Sequence, residues 1–309
     1  MRIFLFVFIC CLSAGNRVVT ATQRLQDTSR PPANLEWPTL KAGQSIVHHT
    51  GFALVYNEPH EQADWVAYEL TAEETLKSFE RGDVFMRDPL VSTGTADETD
   101  YLHSGYDRGH LAPAADLGFS LSSMAESFYY SNMSPQLPAF NRGVWKRLET
   151  QARGWAKQYG AVYIVTGPVL TPGLPSIGPN KVSVPRLYYK VVLDYRLPEH
   201  KAIGFVLPNA GSSLPINHYA VTVDSVERLT GLDFFSKLPD VQEQKLEAGL
   251  CLPCWTWSST GSGGQTDKGA TQKKTGNTSV QCGASTKSGG RCKRMTSSPN
   301  GNCWQHGGD

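Results

Sequence analysis

Residues 141–160 read NRGVWKRLETQARGWAKQYG. Val144, Leu148, Ala152, Trp155 and Tyr159 fall at helical spacing and Gly160 supplies a stop, so the stretch is expected to be a helix with an apolar stripe against a core. Asn141, Trp145, Glu149 and Arg153 are spaced by four and share a neighbouring stripe. At the helical rise per residue, Asn141 and Glu149 stand about 12 Å apart along the axis. An ion bound to Asn141, one of its waters and the reach of a glutamate toward the helix start close that gap. The pair therefore reads as one direct ligand and one acceptor acting through water. Mg²⁺ suits such a site because it keeps several waters and needs few protein ligands. A neutral amide ligand also leaves most of the ion's charge available to a phosphate. On its own, Glu149 would read as an exposed helical partner of Arg153.

Outward from this helix the chain reads as strands. SIVHHTGFALVYN (45–57) and DWVAYELT (64–71) precede it, with a break at Asn57-Glu58-Pro59. Runs at 161–170, 184–195, 201–209 and 219–231 follow, the last turning helical after Asp224. Residues 72–80 are expected to form a short helix closed by Arg81-Gly82, and SLSSMAESFYYSNM (120–133) has a helical tendency. Strands on both sides of central helices point to an α+β domain around a mostly antiparallel sheet.

The chain has 309 residues, enough for a sizeable core, and a formal net charge of +1. Its one strongly apolar run is MRIFLFVFICCLSAG at the start. The run is too short to span a bilayer comfortably, so residues 1–21 are expected to be a secretory signal peptide, giving a secreted or periplasmic protein with no membrane attachment after its removal. Ile9 precedes Cys10-Cys11 where a lipoprotein signal would place a small residue. The net charge hides a split. In 258–309, Lys268, Lys273, Lys274, Lys287, Arg291, Lys293 and Arg294 stand against Asp267 and Asp309, whereas residues 22–257 hold 20 basic and 26 acidic side chains. A basic tail on an acidic body suits either a tether to a polyanion or a solubilising segment.

YDRGHLAPA at 106–114 does not look built for a core. A neutral imidazole at His110 is well matched to taking a proton from water near pH 7, and the Arg108 guanidinium can hold a phosphate oxygen. Gly109 between them admits a backbone approach closed to other residues. Alone, the string also fits a surface turn in which Asp107 pairs with Arg108.

Together these blocks resemble the DNA/RNA non-specific endonuclease family, whose fold is called ββα-metal or His-metal finger. The matching stretches are DRGH (107–110), NMSPQ (132–136) and NRGVWKRLE (141–149), with HTGFALVYN, FMRDP (85–89), TGPVL (166–170) and ERLTGLDFF (227–235) around them. The resemblance covers roughly residues 45–240. It implies that His110 is the general base, that Asn141 is the protein ligand of a catalytic Mg²⁺ (or Mn²⁺), and that Glu149 holds a water of that ion. Arg87, Arg108 and Arg153 match arginines used around the scissile phosphate, Asp107 would brace its loop, and Asn132 is expected to be structural at least as readily as functional. The implied activity is cleavage of DNA and RNA with little sequence preference, leaving 5′-phosphate and 3′-hydroxyl ends. A non-cleaving nucleic-acid binder and a phosphodiesterase for small nucleotides are the rival readings; a binder needs no general base, and the arginines suit a polymer. Oligomeric state is left open.

Beyond the family-like region, residues 241–257 form an extension containing CLPC, for which a local Cys251–Cys254 disulfide is expected. Residues 258–281 are a low-complexity linker. In 282–309, Cys282, Cys292, Cys303 and His306 offer a three-cysteine, one-histidine set for structural Zn²⁺, and so small a module needs a staple. A disulfide between two of the three cysteines is the alternative for an exported chain. Residues 22–44 are a Pro-containing lead-in.

Overall fold

The computed structural model describes residues 31–76, 79–258, 280–281, 284 and 295–296. The expected signal segment 1–21 and the tail residues Cys282, Cys292, Cys303 and His306 lie outside them. The chain divides after Ser258 into two units. In the second, β-bridged pairs Val280–Gln281 and Met295–Thr296 run antiparallel.

The first unit begins with β1 (Val47–His48), β2 (Ala53–Asn57) and β3 (Gln62–Thr71). Then come α1 (Glu98–Tyr101), β4 (Asp107–His110), α2 (Leu121–Glu126), β5 (Met133–Gln136) and α3 (Lys146–Tyr159). The second half holds β6 (Ala161–Pro168), β7 (Ser176–Ile177), β8 (Val182–Ser183), β9 (Leu187–Asp194), β10 (Lys201–Pro208), β11 (Ala220–Val221), α4 (Val223–Thr230) and α5 (Asp240–Ala248). The main sheet has the order β1-β2-β3-β6-β9-β10-β11, every neighbour antiparallel, as the strand pattern predicted.

Both faces of this sheet are covered, which is why its central strands read as nearly continuous apolar runs. Val162, Ile164, Tyr188 and Val192 join Leu148, Ala152 and Trp155 of α3 in one core. The alternate residues Tyr163, Val165, Tyr189, Val191 and Leu193 join Val223 and Val226 of α4 and Leu246 of α5 in the other. Period-two alternation thus places α3 on one face and the α4–α5 corner on the opposite face.

Three expectations are corrected. Of the helix expected over 72–80, residues 77–78 lie outside the described residues and 72–76 form turns: the Glu74 carboxylate accepts from the Thr71 amide and hydroxyl, which folds the chain back onto the end of β3. The loop expected at DRGH is strand β4, paired with β5. The long helix starts later than expected, since Phe140–Trp145 wind as a wider π-helical turn with Gly143 at φ −105°, ψ −110°, and α3 proper runs from Lys146. The rise used to separate Asn141 from Glu149 therefore does not apply to its first turn.

The 241–257 extension packs against α3. Trp255 lies 4.5 Å from Trp155 between ring centroids. The Thr256 carbonyl accepts from Trp155 Nε1 and from Gln151 Nε2, at 2.5 and 2.9 Å. The expected Cys251–Cys254 disulfide is present just before this contact.

Candidate active site

The β4–β5 hairpin and α3 form one unit around a cleft of about 600 Å³. His110 pairs with Met133 and Gly109 with Ser134 across the hairpin. A Cβ at Gly109 would lie 2.2 Å from the buried Gln136 side chain, so only glycine lets Arg108 and His110 flank this contact undisturbed. Asn132 is fully buried. Its Oδ1 accepts from the Ala112 amide at 2.9 Å, and its Nδ2 donates to the carbonyls of Ala112 and Ser127 at 2.9 and 2.8 Å. It clamps the chain leaving His110 to the chain entering β5, the structural role.

His110 ends β4 with its ring in the cleft lining, between Phe128 at 5.0 Å and Phe85 at 6.0 Å. Its Nε2 is buried without a protein hydrogen-bond partner. Desolvation, then the positive field of Arg81 and Arg108, pushes the imidazole down to about 3, so the ring is neutral at physiological pH. Arg108 is held over the Phe85 ring, 4.0 Å from its centroid.

Asp107, at the other end of β4, accepts from Asn141 Nδ2 at 2.9 Å and from Arg142 Nε and Nη2 at 2.8 and 2.6 Å. A carboxylate only accepts here, so the amide nitrogen must face it, which leaves Asn141 Oδ1 as the available donor atom for a cation. Asp107 therefore orients the expected metal ligand directly.

Glu149 and Arg153 also line the cleft. Burial raises the Glu149 carboxyl to about 7, with Lys190 and Arg153 pulling it down and Asp116 pushing it up. Lys190 is 1% exposed, its Nζ has no hydrogen-bond partner, and burial lowers its amine to about 8. Arg153 Nη1 donates to the fully buried Asp116 at 2.6 Å, and Tyr68 donates to the other Asp116 oxygen at 2.8 Å. The floor is thus a network of charges in which Lys190, Arg153, Arg81 and Asp116 act on Glu149.

Arg87 is not brought to the cleft. Its side chain is exposed and pairs with Asp97, the N-cap of α1. Cations missed in the sequence take up the rim: Arg81, Arg142 and Lys146 join Arg108 and Arg153, against Asp83, Asp107 and Glu149. The lining is net positive although the body is acidic. Lys190 did carry a signal, being a lone lysine in the apolar run LYYKVVLD on the face shared with Tyr188 and Val192.

The hairpin and helix thus bring a neutral histidine, an oriented amide and a cationic rim to one cleft, a setting suited to a phosphate-bearing ligand. The sequence pattern of the DNA/RNA non-specific endonucleases matches residues 33–241, and the chain belongs to that family. It is 36% identical over 228 residues to the mitochondrial nuclease EXOG of Danio rerio, covering 68% of this chain and 65% of that protein. It is 33% identical over 218 residues to the mitochondrial endonuclease G of Bos taurus, covering 66% and 73%. The crystal structure of the EndoG/EndoGI complex contains a chain similar at a TM-score of 0.61 and 33% identity, covering 66% of this chain and 89% of that one. The chain spans just under two thirds of the zebrafish relative's length.

These relatives overturn the expected export, since they are mitochondrial nucleases. The physical reason is that a short apolar run after a single Arg2 fits a secretory pattern by apolarity alone, which does not discriminate between addresses. Among the described residues, no helix is long and apolar enough to cross a membrane.

Proposed function

We propose that the cleft hydrolyses phosphodiester bonds of both DNA and RNA without sequence preference, leaving 5′-phosphate and 3′-hydroxyl ends. The observation that carries this reading is the neutral, protein-unpartnered imidazole of His110 in one cleft with Asn141 and the arginines. His110 accepts the proton of the attacking water. A phosphate arriving beside the ring raises its proton affinity from the depressed resting value. Arg108, fixed over Phe85, and Arg153, fixed on Asp116, lend positive charge to the phosphoryl oxygens as negative charge grows there.

Asn141 and Glu149 are the residues that would hold Mg²⁺, or Mn²⁺ in its place. The donor set fits: both offer hard oxygens, Asp107 fixes the Asn141 amide, and Glu149 lines the same cleft. When bound, the ion supplies charge neutralisation at the phosphate and acidifies a water for the departing 3′ oxygen. None of these groups reads a base edge, and phosphate contacts position without specifying.

The test is nicking of supercoiled plasmid and cleavage of RNA by the purified chain with Mg²⁺ or EDTA, beside His110→Ala. Cleavage of both substrates that needs Mg²⁺ and collapses in the variant is the expected result; binding without cutting would replace the proposal with a non-cleaving role. For the tail, the proposed Zn²⁺ set Cys282, Cys292, Cys303 and His306 is checked by metal analysis, with near one Zn²⁺ per chain lost on Cys303→Ser.

A further inference from the structure

A second group of oxygen ligands lies away from the cleft, on the opposite face of the sheet. Asp224 and Glu227 project from the first turns of α4, and Glu247 comes from the last turn of α5. One carboxylate oxygen from each lies within 4.8 Å of the others. Helical spacing explains the first pair, since positions three apart share a face, and packing of α5 on α4 brings the third.

Three carboxylates so close are ionised together only when something positive sits between them; otherwise one keeps its proton. Arg228 pairs only loosely with Asp224, at 3.9 Å, and is itself mostly exposed. One Glu227 oxygen accepts from the Phe234 amide at 2.9 Å, which fixes that carboxylate beside the others. Asp233 and Glu243 add further negative charge around Glu247.

The independent sign of a ligand is Glu247 itself. It is 6% exposed, and its Oε1 is buried with no hydrogen-bond partner. Glu247 thus brings one carboxylate oxygen to the cluster and holds a buried oxygen that no donor satisfies, which is costly in a folded protein. A divalent cation resolves the repulsion and the missing partner together.

Ligand chemistry selects the ion. All-oxygen carboxylate donors exclude the soft metals. Ca²⁺ takes oxygens at about 2.3–2.6 Å in flexible geometry, and three oxygens that all lie within 4.8 Å of one another can share one such ion. Mg²⁺ demands near-ideal octahedral geometry and gives up its waters reluctantly, which suits three carboxylates from two separate helices less well. Asp224 and Glu227 are half-buried, which leaves room for the waters that complete a Ca²⁺ shell.

We propose that Asp224, Glu227 and Glu247 form a Ca²⁺ site that ties α5 to α4, separate from the catalytic cleft. Its consequence is structural. Helix α5 leads into the Cys251–Cys254 disulfide and the Trp255 segment that packs on Trp155 of α3, so the ion anchors the start of the segment that covers the catalytic helix.

The test is calorimetric titration of CaCl₂ into the full-length chain carrying Asn141→Ala, which silences the cleft, with thermal unfolding alongside. About one Ca²⁺ per chain is expected, with Tm rising by roughly 5–10 °C at a hundredfold excess over Kd. Adding Glu247→Gln should abolish both the heat and the shift. This variant removes one of several mutually repelling charges, so its Ca²⁺-free Tm should not fall; should it fail to fold, Asp224→Asn at the exposed side serves in its place. No heat in the Asn141→Ala chain, or an unchanged Tm shift after Glu247→Gln, overturns the site, and neither result depends on nuclease activity.

Discussion

Asn141 donates its amide N–H to Asp107 Oδ2 at 2.9 Å, joining the first residue of β4 to the turn that opens into α3. The contact spans 34 residues and decides which face of the amide meets the cleft. Asp107→Ala should therefore act through the cation: with nothing to hold the amide nitrogen, the Oδ1 orientation is lost. The Mg²⁺ concentration for half-maximal plasmid nicking should rise roughly 10–100-fold, the usual effect of losing a group that orients a ligand. An unchanged Mg²⁺ requirement would leave Asp107 a fold brace only.

Arg153 is expected to matter for stability as well as catalysis. It is the cationic partner of the fully buried Asp116, whose other oxygen is taken by Tyr68. Arg153→Ala strands that carboxylate, and breaking a buried pair from one side costs about 3–5 kcal/mol. Arg87, exposed and paired with Asp97, offers the contrast. Urea midpoints should drop sharply for Arg153→Ala and stay put for Arg87→Ala.

The His110 value near 3 makes stability fall on acidification. Its ordinary value is 6.5, so between 6.5 and about 3 the unfolded chain binds a proton that the folded chain refuses. The contribution is complete above 6.5 and is lost as pH drops toward 3, with a slope of about 1.4 kcal/mol per pH unit. Unfolding free energies at pH 7 and pH 5 should converge in His110→Ala relative to the wild type. Equal slopes in the two proteins would show that the imidazole is not desolvated.

Much of this arrangement was legible before any coordinates. The sheet could be read because its strands are buried on both faces and so rich in β-branched and aromatic residues, and His110, Asn141, Glu149 and Arg153 because hairpin and helix each carry them in a short stretch. What escaped depended on long-range packing. Arg81 and Lys146 look like ordinary surface charges until the fold points them at one cleft. Arg87 sits in a family-like block, FMRDP, yet its guanidinium finds Asp97 first, a choice no local pattern encodes. The π-helical turn at 140–145 shares its apolar spacing with an α-helix, so periodicity could not separate the two.

Lys190 gives the sharpest test of the floor network. It is buried beneath α3 with its amine 4.9 Å from the Trp145 ring centroid, and it makes no hydrogen bond. No hydrogen bond would be lost with it, so its consequence is electrostatic: it holds the Glu149 carboxyl below where burial alone would put it. Ionised Glu149 is the form that would serve a cation, and its value near 7 predicts that the acid limb of activity reports Glu149 rather than His110. Lys190→Met keeps the volume and removes the charge, so Glu149 should hold its proton to higher pH and the acid limb should move in the alkaline direction. At pH 7 the variant should be slow, and at pH 9 it should recover most of the wild-type rate. Because methionine also relieves the desolvated amine, the urea midpoint at pH 7 should not fall. A pH–rate profile of Lys190→Met that overlays the wild type would remove Lys190 from the active-site electrostatics and leave Glu149 governed by burial, Asp116, Arg153 and Arg81.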